Sequence, residues 1–448
     1  MALAIATFLI TYTLLVDGFY RRTLVVLFAA FFLLLTGVLT PLEAFRAVDW
    51  NVMAMFVGML VLADLFLHSR MPAVLAAGIA ARAKTVGMAV LGMCILASML
   101  SMFLENVAVV LVLAPIALAL ARQLTARATP FLIGIALSSN LQGAAMLVGD
   151  PPSMILGTFA NITFNDFFWY GGRPGIFFAV QVGAVASFAL LWVMFRKFQT
   201  RVGDVPHDHA RSLVPSFLLV GVIAALALGS FLWRGPYTAG MTVLVFAGVG
   251  WAWYKATLHT GLANHHRRSG EPTLTRLADR FRSIRDRFAS PHRLIRNADW
   301  ETTFFLLGAF VVVGSLSTTG AIAAFTEWFS GIAGASPLRA YVLIVVASVG
   351  LSAFIDNVPY VLAMLPVASG VAANIGMPPF LLYAGLLIGA SVGGNITPIG
   401  ASANIVAYRW IEERAKEPIT FMGYVRYGLP FTIVAVFAAT LFGWYAWR

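Results

Sequence analysis

The sequence predicts an all-α polytopic membrane protein made of two inverted repeats, each of five spans plus one re-entrant hairpin, with broken helices. Three observations carry that expectation. Of 448 residues, 60% are hydrophobic and only 11% charged, whereas soluble domains are roughly a quarter charged. The apolar residues gather in runs separated by short polar loops. The motifs of the first half return in the second about 250 positions later. Such a composition excludes a soluble enzyme and a disordered scaffold.

The apolar runs fall at about 1–19, 23–40, 51–67, 86–122, 130–160, 174–195, 213–233, 237–254, 302–318, 340–371, 378–407 and 428–447. At roughly 20 residues per crossing, they supply ten crossings and two double-length excursions, 86–122 and 340–371. Met1 to Phe19 lacks a basic leader and is followed by Arg21, Arg22 and more membrane. It therefore reads as a retained first span rather than a signal peptide.

Cations cluster in alternate loops, and the positive-inside rule places those loops in the cytoplasm. The clusters are Arg21 and Arg22; Arg70, Arg82 and Lys84; Arg122 and Arg127; Arg196, Lys197, Arg201 and Arg211; and Arg409, Arg414, Lys416 and Arg426. The stretch 255–298 sets ten cations against Glu271, Asp279 and Asp286. It reads as a basic cytoplasmic loop, with 272–290 able to lie as a helix on anionic headgroups. The net charge of +11 thus marks topology in a cell inner (plasma) membrane, with both termini outside and no nucleic-acid partner. Asp17 beside Arg21, and Asp64 beside His68 and Arg70, read as ion pairs at span ends. The single Cys94 excludes a disulfide and a multi-thiolate metal site within one chain, and no cofactor is expected.

The duplication rests on several coincidences of register. Asp49-Trp50 and Asp299-Trp300 lie 250 apart, while Glu105-Asn106-Val107 and Asp356-Asn357-Val358 lie 251 apart. Pro115 and Pro366, Gly143 and Gly394, and Gly149 and Gly400 keep the 251 spacing. The repeats are therefore 1–211, with hairpin 86–122 and broken helix 130–160, and 212–448, with hairpin 340–371 and broken helix 378–407. Five crossings are an odd number, so the second copy should sit upside down relative to the first, as in many secondary transporters.

Each hairpin carries an acid–Asn pair at its centre, and a carboxylate costs roughly 2.5–3.5 kcal/mol at mid-bilayer on insertion scales. The spans that follow are interrupted by Ser138-Ser139-Asn140-Leu141-Gln142-Gly143 and Gly149-Asp150-Pro151-Pro152-Ser153, and by Ser391 to Asn404. Gly and Pro at that density stop a regular helix and free backbone groups to bind an ion or polar solute. The predicted substrate-binding residues are Asn106, Asn140, Gly143, Ser153, Asn357, Gly394, Asn395, Thr397, Ser402 and Asn404. Glu105, Asp150 and Asp356 are the candidates for H⁺ or Na⁺ coupling, since a carboxylate taken out of water holds a proton more readily. Stretches 85–121, 128–172, 302–338 and 340–408 contain no Lys or Arg. The expected site therefore has no fixed cation, which favours a cation, a proton or a neutral polyhydroxyl solute over an anion.

Four segments resemble the ion-transporter superfamily, specifically its ArsB/NhaD-type permeases, which are arsenite/antimonite efflux permease-like. They are Leu104-Glu105-Asn106-Val107, Gly149-Asp150-Pro151-Pro152, Ile355-Asp356-Asn357-Val358-Pro359, and Gly394-Asn395-Ile396-Thr397-Pro398-Ile399-Gly400-Ala401-Ser402-Ala403-Asn404. The hairpin tips also resemble the melanosomal P-protein branch. Ser153 stands where such families often have Asn, and Met146 lies opposite Thr397. The resemblance implies a homodimer with an outer scaffold, a mobile part of hairpins and broken helices, and alternating access by an elevator-like movement. Members export arsenite or antimonite, exchange Na⁺ for H⁺, or carry carboxylates and other anions.

The leading expectation is proton-coupled export of arsenite or antimonite, because arsenite is chiefly a neutral trihydroxide at neutral pH. Na⁺/H⁺ antiport comes second, and a Na⁺-coupled carboxylate or inorganic-anion carrier third. No HExxH or GxxxxGK[ST] pattern is present, so no enzyme is expected.

Overall fold

The computed structural model describes residues 1–17, 21–123, 126–202, 210–232, 235, 237–268 and 299–448. Most of these residues are helical, in nineteen α-helices among the described residues. Among the described residues, six helices are long and apolar enough to cross a membrane: Trp50–His68, Ile176–Phe195, Val214–Leu232, Trp300–Thr318, Asn357–Ile375 and Phe421–Trp447. Shorter apolar helices supply most of the other runs read from the sequence, 130–160 and 237–254 excepted.

In chain order the first half holds α1 (Ala2–Asp17), α2 (Arg22–Leu35), α3 (Pro41–Ala47), α4 (Trp50–His68), α5 (Met71–Arg82), α6 (Val86–Ser101), α7 (Asn106–Gln123), α8 (Thr129–Gly143), α9 (Pro151–Phe159) and α10 (Ile176–Phe195). The second holds α11 (Val214–Leu232), α12 (Thr238–Arg268), α13 (Trp300–Thr318), α14 (Ala321–Ala333), α15 (Pro337–Ser352), α16 (Asn357–Ile375), α17 (Phe380–Gly393), α18 (Ser402–Arg409) and α19 (Phe421–Trp447). Helices α5 and α14 answer to no apolar run read from the sequence. Helix α12 corrects the boundary set at 254, since it continues through Arg268 before the described residues resume at Asp299. The proposed headgroup helix at 272–290 lies outside the described residues.

Repetition at about 250 residues is visible in how helices start. Asp49 caps α4 by accepting from the amides of Asn51 and Val52, and Asp299 caps α13 by accepting from Thr302. Arg70 before α5 and Gly320 before α14 both take the left-handed conformation. Thr85 caps α6 and Ser336 caps α15. Caps satisfy the orphan amides of a first helical turn, so the repeated acids and hydroxyls are signals of where each helix begins.

Packing follows the same scheme. Helix α4 packs on α12 and α13 on α2; α6 packs on α8 and α15 on α17; α10 and α19 pack on each other. Each short helix after a break crosses to the other half, α9 onto α16 and α18 onto α7. Every residue from Phe131 to Gly143 in α8, and from Phe380 to Gly393 in α17, is buried. These two helices form the axis of the protein. The outermost helices present apolar side chains outward, such as Phe28 at 73% and Phe231 at 78% exposure, as suits a surface solvated by lipid.

Candidate functional site

Both hairpins close through the same turn. Phe103 and Leu104 donate to Leu100 O, as Phe354 and Ile355 donate to Leu351 O. Ser101 Oγ then donates to Asn106 Oδ1, and Ser352 Oγ to Asn357 Oδ1. The acids at the tips start the returning arms: Glu105 accepts from the Ala108 amide at 3.3 Å and Asp356 from the Val358 amide at 3.2 Å. Ser101 and Ser352 were missed in the sequence, although the shared Ser-x4-Asn spacing at an offset of 251 was available to find them.

The second tip docks on the second break. Thr397 Oγ1 donates to Ala353 O and accepts from the Gly400 amide, and Ser352 Oγ also reaches Ala390 O. Each break is folded tightly on itself. A Cβ on Gly400 would lie 2.5 Å from Gly394 O, and one on Gly149 would collide with Gly143 O. Only glycine permits that approach. Ser153 Oγ bonds Gly143 O at 3.0 Å, and its counterpart Asn404 donates to Gly394 O at 2.9 Å and Thr397 O at 3.0 Å.

The breaks meet at an amide cluster. Asn140 Nδ2 donates to Asn395 Oδ1 and Asn404 Oδ1, both at 2.8 Å, and Asn395 Nδ2 donates to Leu137 O. The expected binding residues thereby divide into two groups. Asn140, Ser153, Asn395, Thr397 and Asn404 are buried and, apart from Asn140 Oδ1, which has no partner among the described residues, spend their polar atoms holding the breaks together. Asn106, Asn357, Ser402, Glu105 and Asp356 remain partly accessible around the tips. Gly143 and Gly394 serve as backbone carbonyls within the folded breaks.

The three acids are gathered into one electrostatic neighbourhood. The charge of Asp356 acts on both Glu105 and Asp150, and Asp299 also acts on Glu105. Asp150 caps α9, accepting from the Ser153 amide at 3.2 Å and hydroxyl at 3.0 Å. A cavity of about 20 Å³ is lined by Glu105 and Asp150, with Phe56, Met59, Phe103 and Met154 around them. That is room for about one water.

One expectation fails. Arg22, the first residue of α2, places Nη1 3.2 Å from Asp356 Oδ2 and 3.1 Å from Ser402 Oγ. The site therefore has a fixed cation beside the second hairpin tip and the second break. The segments around the motifs contain no cation, and Arg22 lies 334 residues from Asp356 in the chain. Its neighbourhood read as a topology signal. By contrast, the pairing read for Asp64 and His68 is present, at 3.4 Å. The side chain of Asp17 lies outside the described residues.

A family profile described as "citrate transporter" (CitMHS) matches residues 7–382 and 283–448. The chain belongs to the citrate transporter family. Relatives include an uncharacterised transporter of Mycobacterium tuberculosis, 29% identical over 449 residues covering 98% of this chain and 97% of the relative. A second, from Synechocystis, is 29% identical over 441 residues covering 94% and 92%. Human P protein is 25% identical over 451 residues that cover 87% of this chain and 52% of that protein. The crystal structure of the Alcanivorax borkumensis YdaH transporter, described as having an unusual topology, shares the fold at a TM-score of 0.52 and 14% identity, covering 92% of this chain and 87% of that one. This citrate transporter family chain is thus a multi-pass membrane transporter for a small solute or ion. The family match is to citrate transporters, and the narrower likeness to arsenite permeases is not part of it.

Proposed function

We propose that the chain is a secondary carrier of a small carboxylate, coupled to a cation and working by alternating access. The single observation that carries this reading is the Arg22 guanidinium at Asp356 and Ser402. Guanidinium matches carboxylate in planar geometry and charge. The preference for neutral arsenite rested on the lack of such a group, so its main ground is gone, while the family description favours a carboxylate.

The reading takes the two halves as inverted repeats. Reciprocal packing of α9 on α16 and α18 on α7 supports it, as does the matching of cap residues. In this scheme hairpins and broken helices move as one body, and Glu105, Asp150 and Asp356 carry the coupling charge.

Reconstituted vesicles with imposed H⁺ or Na⁺ gradients test the proposal. Labelled citrate should accumulate against its gradient under one of the two. Arsenite or Na⁺/H⁺ flux with no carboxylate flux under either gradient would overturn it.

A further inference from the structure

The two short helices after the breaks begin in different ways. Helix α9 is capped by the carboxylate of Asp150. At the equivalent position, 251 residues on, Ala401 precedes α18 and gives it no side-chain cap. The first half brings its own carboxylate to that place; the second half has only a methyl group. What lies beside the uncapped start of α18 is Ser402 Oγ with Arg22 Nη1 3.1 Å away, and the same nitrogen holds Asp356. The Arg22 and Asp356 side chains keep 30% and 23% of their surface exposed, so a solute can reach the pair. Tyr12, from α1, also feels the Asp356 charge.

We infer that Arg22 is a specificity-determining residue of the carrier: a substrate carboxylate replaces Asp356 on the Arg22 guanidinium and Ser402, occupying in the second half the place that Asp150 fills in the first. This rests on the carboxylate-carrier reading above and adds the residue that recognises the carboxylate. The charges balance. An internal pair, guanidinium with Asp356, becomes two external ones, guanidinium with substrate and Asp356 with the coupling cation. One cation enters for each carboxylate bound here, and neither charge is left alone in a medium where an unpaired ion is costly.

The test uses the full chain in vesicles, with citrate as probe and glycerol as a carboxylate-free control. Arg22→Gln should weaken citrate binding by about 10–100-fold, the loss expected for a charge-assisted hydrogen bond. Arg22→Gln combined with Asp356→Asn should not restore it. Asp356→Asn alone should keep citrate/citrate exchange while losing gradient-driven accumulation. Recovery of wild-type citrate affinity in the double variant would mean that the pair is only a strut, and would overturn the inference. Unchanged affinity in Arg22→Gln would do the same. If Arg22→Gln does not fold, Arg22→Lys keeps the charge without the planar fork and should still bind citrate more weakly than wild type. Wild-type affinity in that variant would overturn the inference. A wild-type protein that binds citrate while these variants behave otherwise refutes only the role of Arg22. A wild-type protein that binds no carboxylate refutes the carrier reading itself.

Discussion

Asn140 donates to Asn404 Oδ1 at 2.8 Å, joining two helix interruptions that lie 264 residues apart in the chain. The same amide nitrogen donates to Asn395. One side chain therefore ties both breaks together inside a fully buried axis. Replacing Asn140 with Leu leaves two buried acceptors without their donor, at about 1–3 kcal/mol each. The expected result is a lowered melting midpoint of the purified protein and loss of transport. A variant as stable as wild type would show that the cluster contributes little.

Gly149 and Gly400 sit where the chain folds against the Gly143 and Gly394 carbonyls. Ala at either position should abolish solute flux, because the Cβ displaces backbone rather than a flexible side chain. Gly229 meets nothing within 4 Å. Gly229→Ala should transport normally, and flux assays on the three variants check the contrast.

Glu417 links the halves at the start of α8. Its carboxylate accepts from the amides of Ala128 at 2.7 Å and Thr129 at 3.0 Å, and from Thr129 Oγ1 at 2.5 Å. At the start of α17, 251 residues after Thr129, Tyr170 stacks on Phe380 with ring centroids 4.2 Å apart. Glu417→Gln removes the charge facing a helix N-terminus and should cost about 1–2 kcal/mol. Thermal unfolding in detergent measures it.

Cys94, on α6, is fully buried where that helix packs on α8, and a Cβ on Gly134 would come 3.0 Å from its sulfur. A maleimide should leave the native protein unlabelled and modify it once denaturant is added. Labelling of the native protein at a rate close to that in denaturant would mean that the α6–α8 contact opens readily. Gly134→Ala should raise the native rate by forcing the two helices apart.

Much of the candidate site was legible because its parts are local in sequence. The acid–Asn tips, the Gly–Pro breaks and the Asp-Trp caps each follow from a few adjacent residues, and the 251 spacing paired them. The short helices α5 and α14 were not legible as apolar runs. They are apolar but only 12 and 13 residues long, too short to count as a crossing of roughly 20 residues. The end of α12 was misplaced for a related reason: cations after Lys255 looked like a loop, yet charge at the end of a long helix does not stop it. Ser101 and Ser352 were visible in principle and overlooked because serine inside an apolar run reads as packing.

By itself the sequence determined the membrane class and the places where helices begin and break, because hydropathy, caps and glycine act over a few bonds. Only the tertiary structure decided which of those polar groups face one another. Asn140, Asn395 and Asn404 turn inward to satisfy each other, and Arg22 comes from a distant helix to meet Asp356 and Ser402. Such pairings depend on how helices cross, and burial rewards any partner that satisfies a polar group, however far away it lies in the chain.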